Sequence, residues 1–161
     1  MIAMDAVHPR VMGYLGRALS LELTAVQQYM TQASLVELWD DHDSAARFRQ
    51  ETVEEMRHAE AIVQRMLALG VAPAASQLRP AGHAHDLAGL LRLDAQLEAD
   101  LIALYGDAVR FCVLIGDGVH RDFFTGLVDD EQHHARDIEA WLQHLDFAVA
   151  GNRWQHERAT F

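Results

Sequence analysis

The chain has no lysine: all thirteen of its basic residues are arginine, set against twenty-four acidic ones, for a net charge of −11. That balance argues against nucleic acid as a partner, because a basic face is required there. Cys112 is the only cysteine, so a disulfide framework is excluded. Only three prolines interrupt a chain that is half hydrophobic, which argues against disorder. No stretch approaches the ~20 uncharged apolar residues that span a bilayer. The opening MIAMDAVHPR lacks a charged region followed by an apolar run, so no secretory signal is read. These absences lead to an expectation of one soluble cytoplasmic domain over residues 1–161, large enough to bury a core without staples. The acidic excess would attract cations through its summed field.

What is present is a helical period carrying glutamates. Apolar residues recur at steps of four and three, the seam of a packed helix. The first seam reads Leu15, Leu19, Glu22, Val26, Tyr29, Ala33, Val36, and the second Phe48, Thr52, Glu55, Ala59, Ile62, Met66, Leu69. The third reads Leu91, Ala95, Glu98, Ile102, Tyr105, Val109, Cys112, and the fourth Phe124, Val128, Glu131, Ala135, Ile138, Leu142, Leu145. Each has one glutamate near its middle. Glu55 and Glu131 are each followed three residues on by a histidine, His58 and His134. The separation of 33 between Glu22 and Glu55 recurs between Glu98 and Glu131, and the second set is the first moved by 76 positions.

The spacing predicts helices over about 8–39, 43–69, 87–115 and 119–145, with a tail over 146–161 that forms a short extra helix or frays. Asp40-Asp41-His42-Asp43 and Gly116-Asp117-Gly118 make short turns, so each pair of helices folds into an antiparallel hairpin. Residues 70–86 have two prolines and no helical period. Extended, they reach roughly 55 Å, while a helix of about 28 residues is about 42 Å long, so they can cross the whole bundle. The fold class is all-α: a four-helix bundle with one long crossover.

Four ionised carboxylates in an apolar core would each cost several kcal/mol if unpaired. Arginine could neutralise them, but no seam position is arginine. Turning the helices to solvate the glutamates would expose Leu19, Val26, Ile62 and Ile138 together. Two divalent metals remain as the counter-charge, held by Glu22, Glu55, His58, Glu98, Glu131 and His134. Glu-x-x-His puts both groups on one face, one turn apart. Glu55 and Glu131 are best placed to bridge the metals; Glu22 and Glu98 would terminate one each, with His58 and His134 completing the two shells. Oxygen and imidazole ligands without thiolate suit iron, manganese or zinc. Tyr29 and Tyr105 lie two turns beyond Glu22 and Glu98. Each is either core packing or a partner for a ligand carboxylate, and Tyr29 is the preferred candidate for a role in catalysis.

The stretches LELTAVQQY (21–29), EEMRHAE (54–60), LRLDAQLEAD (91–100) and DDEQHHARDIE (129–139) resemble bacterioferritin, the haem-containing branch of the ferritin-like superfamily. The resemblance covers roughly residues 8 to 146. It implies a ferritin-like iron-storage protein with ferroxidase activity. A di-iron centre at the six residues would bind Fe(II), oxidise it with O2 or H2O2, and pass ferric iron to a mineral core in a twenty-four-subunit cage. It also implies a ferredoxin-type electron donor for iron release, and haem b shared between two subunits through one methionine from each.

The matching methionine is Met56, turned about 100° from the metal seam. Leu23, Met30 and Val53 also lie off their seams and could join it in a second apolar stripe, which reads first as a subunit interface. Arg49 and Arg57, on the same helix, could pair with haem propionates. The chain departs from the pattern at Gln50, where the resembling proteins carry a histidine for an inner-surface iron, with Glu54 and Asp130 keeping carboxylates nearby. It departs again in a tail where Val149, Trp154 and Phe161 stand among polar residues. A dimeric di-iron oxidase or peroxidase without storage would share all six ligands. A DNA-protecting mini-ferritin fits poorly, since those build metal sites between subunits. A haem-bearing electron-transfer subunit would show a damaged ligand set. His8, His42, His83, His85, His120, His144 and His156 read as surface or cap residues, and His133 points off its seam.

Overall fold

The computed structural model describes residues 7–74 and 77–158, with side chains to residue 149. Four helices run over Pro9–Leu38 (α1), His42–Ala68 (α2), Leu87–Ile115 (α3) and Gly118–Arg158 (α4). α1 packs along α2, α3 along α4, and α1 against α3, giving an all-α bundle of two hairpins. Among the described residues, no helix is long and apolar enough to cross a membrane.

Every helix begins on a side chain that serves an otherwise orphaned N–H. His8 accepts from the Arg10 amide at 3.1 Å, and Asp41 from that of Ser44 at 3.0 Å. Asp86 accepts from Gly89 at 2.7 Å and Asp117 from His120 at 3.0 Å. The Asp117 carboxylate also holds the His120 ring at 2.8 Å, so His120 is a buried cap partner rather than a surface residue. α3 ends on Gly116 at φ 74°, a left-handed cap that glycine adopts without strain.

The buried line on each helix is broader than a strict four-three seam. Val26, Ala95, Ile102, Val109 and Val128 are only half-buried, while Ala25, Leu101, Ala108 and Leu127 beside them are buried. A straight helix drifts by about 20° per heptad against a 3.5-residue repeat, so the inward face slides to the neighbouring residue. The duplication visible in the sequence is also structural. The Tyr29 and Phe48 rings lie 6.3 Å apart, and their counterparts Tyr105 and Phe124 lie 6.2 Å apart.

α4 differs from the expectation. It runs on to Arg158 without the break that a separate terminal helix or a frayed tail would need. Phe147 and Val149 are 77% and 71% exposed, so the apolar period fades because the helix has outrun its partners, not because it ends. Trp154 and Phe161 lie outside the residues whose side chains are described.

The crossover is fastened along α1 at intervals of one turn. Ser20 Oγ accepts the Gln77 amide at 3.2 Å, Thr24 Oγ1 accepts that of Arg79 at 3.2 Å, and Gln28 Oε1 accepts that of Gly82 at 3.5 Å. Arg79 also pairs with Asp100 on α3 at 2.6 Å. Thr24→Val keeps the shape but leaves the Arg79 amide without its acceptor, a loss of about 1–3 kcal/mol. Urea unfolding should register that loss, and amide exchange at Arg79 should accelerate. An unchanged exchange rate would show that the crossover is held elsewhere.

Candidate metal centre

All six residues predicted from the sequence converge at mid-height in the bundle. Glu22 comes from α1, Glu55 and His58 from α2, Glu98 from α3, and Glu131 and His134 from α4. The four glutamates are fully buried, His134 nearly so, and His58 is partly exposed. Their ligand atoms form two overlapping groups, each within 4.8 Å: Glu22, Glu55, His58 and Glu131, and Glu55, Glu98, Glu131 and His134. Glu55 and Glu131 belong to both.

The imidazoles face each other in a stack with centroids 5.6 Å apart, and each turns Nδ1 inward. His58 Nδ1 lies 3.0 Å from Glu131 and 3.3 Å from Glu55, and His134 Nδ1 lies 3.0 Å from Glu55 and 3.2 Å from Glu131. Their Nε2 atoms face outward to the opposite hairpin: His134 to Glu54 at 3.0 Å, and His58 to Asp130 at 3.5 Å. An outer carboxylate behind an imidazole fixes its tautomer and raises its basicity as a ligand. The tyrosines cross over in the same way. Tyr29 Oη donates to Glu98 at 2.6 Å, and Tyr105 Oη donates to Glu22. Tyr105 thus makes the contact that Tyr29 makes, on the other side.

Charge in this cluster is settled by protons. Burial, reinforced by Glu55 and Glu131, pushes Glu98 up to about 10 and Glu22 well above the carboxylate range. Burial works against both imidazolium ions, but the facing carboxylates outweigh it and raise His58 to about 10 and His134 to about 12. Glu131 is drawn down to about 2 against its own burial by the two histidines, and Glu55 is lowered for the same reason. Even so, Glu22 Oε2 and Glu98 Oε2 are buried without a hydrogen-bond partner, and Glu55 Oε1, both Glu131 oxygens and His134 Nδ1 meet each other or His58 at 3.0–3.2 Å without hydrogen-bond alignment. Orphaned oxygens and an inward imidazole nitrogen are the donor set of a hard or borderline divalent ion, so the residues fit a pair of such metals.

The surroundings sort the remaining candidates. A cleft of about 430 Å³ between α2 and α4 opens onto both imidazoles and is lined by Glu54, Arg57, Asp130 and His133. His133 is exposed and lies 3.5 Å from Asp137, off the centre. Gln50 is exposed and donates to Glu54 at 3.1 Å. Glu51, Glu54 and His134 form a third close group, which sequence reasoning did not single out. Met56, Met30 and Val53 are about half exposed. Met56 lines a separate open groove of about 550 Å³ with Leu19, Leu23, Val63 and Leu78. Arg49 is bound to Glu37 at 2.8 Å and Arg57 lines the cleft. A long side chain's direction is set by local partners, which spacing along the helix does not specify. Also missed were Asp94, Gln28 and Gln32, buried polar residues next to the centre. Their signal was available by comparing the two halves at the offset of 76, where Asp94 stands against Ala18.

Because Glu22, Glu98, His58 and His134 hold protons in the metal-free protein, a divalent ion must displace them. Zn(II) binding should therefore release protons and tighten as pH rises. Titration calorimetry in buffers of different ionisation enthalpy measures that release. Heats independent of buffer would contradict the displacement.

The family model for the ferritin-like domain matches residues 12–148. Bacterioferritin from Rhodobacter capsulatus is 34% identical over 137 residues, covering 85% of each chain, and that from Brucella melitensis is 31% identical with the same coverage. A bacterial ferritin from Neisseria meningitidis is 29% identical over 91% of this chain and 96% of its own. The solved structure of the Rhodobacter capsulatus bacterioferritin, described with a metal-free dinuclear site and a haem iron in a crystallographic special position, superposes with a TM-score of 0.83. It is 33% identical and covers 86% of this chain and 87% of that one. With most of its length matched by the family model and by relatives above 30% identity, this chain belongs to the ferritin family and is a homologue of the bacterioferritins.

Proposed function

We propose that this protein is a cytoplasmic iron-storage ferritin that oxidises Fe(II) at the six-residue centre and holds the ferric product in an oligomeric shell. The observation that carries this reading is the sharing of Glu55 and Glu131 by both ligand groups, which brings two metal positions to one pair of carboxylates. Two Fe(II) ions held there can each give one electron to the same oxidant. Dioxygen with two protons then leaves as hydrogen peroxide, or hydrogen peroxide with two protons leaves as water. The protein's part is positional. Glu22 and Glu98 cap opposite ends, each held by a tyrosine hydroxyl from the other hairpin. His58 and His134 present Nδ1 while Asp130 and Glu54 hold their outer nitrogens. The cleft over the imidazoles admits small solutes, and its carboxylates favour a cation over an anion.

Glu131→Ala removes a ligand common to both positions and should abolish rapid aerobic Fe(II) oxidation, followed by stopped-flow absorbance. Loss of His134 should do nearly the same, whereas His133→Ala should stay within about twofold, since that side chain lies off the centre. Native mass before and after aerobic Fe(II) loading tests storage: the expected outcome is a twenty-four-subunit assembly retaining far more iron than its centres hold. A dimer that keeps only two irons per chain would make the protein a di-iron oxidase instead.

We further propose that Met56 binds haem b between two copies of the chain. Its thioether stands in an open apolar groove, and the walls of Leu19, Leu23, Val63 and Leu78 suit a porphyrin face. When bound, haem would supply one-electron redox chemistry. Met56→Leu keeps volume and apolarity while deleting the sulfur. The variant should keep its oligomeric state and lose the haem absorption; full haem content would assign the ligand elsewhere.

A further inference from the structure

Around the metal centre the two halves of the bundle are copies, and a turn away on one side they cease to be. Asp94 on α3 is fully buried, and its counterpart 76 positions earlier is Ala18. Gln28 and Gln32, buried on α1, correspond to Leu104 and Ala108, and Glu51 on α2 corresponds to Leu127. Four positions that are apolar at one end of the bundle are polar at the other. Asp94 Oδ1 accepts from Gln28 Nε2 at 2.8 Å and from Gln32 Nε2 at 2.7 Å. The Gln28 oxygen takes the Gly82 amide of the crossover, which fixes that side chain's orientation. Gly82 sits this close because it has no side chain: a Cβ there would stand 2.8 Å from Leu93 Cδ1.

The remaining polar atoms do not balance. Asp94 Oδ2, Gln32 Oε1 and Glu51 Oε2 are buried, all three are acceptors when the acids are ionised, and none has a donor. The titratable groups facing the cluster give little relief. They are Tyr29 from α1 and Glu51 from α2, with His134 and Asp137 of α4 beyond Glu51. One hydrogen placed on Asp94 Oδ2 removes the charge from a buried carboxylate whose hydrogen-bond partners are two neutral amides.

We infer that Asp94 is a proton-holding residue, a carboxylic acid clamped by Gln28 and Gln32 beside the Glu98 half of the metal centre, with part-exposed Glu51 as its contact with solvent. Burial pushes Asp94 up to about 7, against the lowering effect of the two amides. The two metal positions are then inequivalent: the Glu98 side adjoins a proton store, and the Glu22 side adjoins an apolar core. The purpose of the store rests on the proposed oxidation, which consumes two protons for each pair of electrons passed to dioxygen. The store itself does not depend on that reading. Asp94 touches no reacting atom and acts as a positioning residue.

Infrared difference spectra of wild type against Asp94→Asn, in metal-free and in Zn(II)-loaded protein, test the inference without any oxidation. The expected result is a protonated-carboxyl C=O band in the wild type that Asp94→Asn lacks and that fades as pH rises through about 7. A second variant combines Asp94→Ala, Gln28→Leu, Gln32→Ala and Glu51→Leu. It carries the residues that the chain itself packs at the matching positions, so it reads the same band if Asp94→Asn fails to fold. The pH profile of Fe(II) oxidation should show an inflection in wild type that both variants lose. Absence of the band at every pH, or superimposable pH profiles, would overturn the inference. Failure of Zn(II) to bind would count against the metal centre alone, because the Asp94 band remains readable in the metal-free protein.

Discussion

Four carboxylates meet inside an apolar core that offers them no arginine, and the rest of the structure is arranged around that repulsion. Without metal, protons supply the answer. Glu22 and Glu98 keep theirs, while Glu55 and Glu131 lie ionised between two imidazolium rings. The cluster is then neutral. Two divalent ions with four carboxylates and two neutral imidazoles are neutral as well. Both states use the same oxygen and nitrogen atoms, so exchanging protons for metal changes the net charge of the core by nothing. This matters because an uncompensated buried charge costs about 3–5 kcal/mol, a large fraction of a domain's stability. A bundle that tolerates both neutral states can remain folded while its metals come and go.

Duplication supplies the rest of the geometry. Each hairpin supports the other's ligands: Tyr29 of the first holds Glu98 of the second, and Tyr105 of the second holds Glu22 of the first. Glu54 lies behind His134, and Asp130 lies behind His58. No hairpin could form this centre alone, since Glu22, Glu98, His58 and His134 each take a support from across the bundle. Any divalent ion held by these residues would therefore strengthen the docking of the two hairpins.

The period and the charge made the six converging residues readable from sequence, because a glutamate in the middle of an apolar seam has few places to go. The starts of α2, α3 and α4 rest on Asp41, Asp86 and Asp117, each accepting a first-turn amide. What spacing could not reveal were relations between helices. Tyr105 looked less interesting than Tyr29 until the crossing partners were in place. Asp94 sits beside Ala95 of the third seam, and only the packing of α1 against α3 turns it inward onto Gln28 and Gln32. The fading apolar pattern after Leu145 marks the loss of neighbours, and α4 runs on past it to Arg158. Arg49, a flexible side chain, follows a local partner, Glu37, that helical spacing does not specify.

One turn and a half of α2 concentrates these demands. At about 100° per residue, Glu54 to His58 are distributed around the helix. Glu55 and His58 face the centre, Glu54 and Arg57 line the cleft above the imidazoles, and Met56 stands in the opposite apolar groove. A small rotation of α2 would move all of these together, so a subunit contact at the Met56 face and the geometry of the metal ligands cannot vary independently. Close packing of Phe48, Ile62 and Met66 on the same helix resists such rotation, because interiors packed to crystal density transmit strain rather than absorb it. The apolar seam of α2 thus has two tasks. It buries the helix, and it sets the angle at which one short stretch of sequence serves three different surfaces.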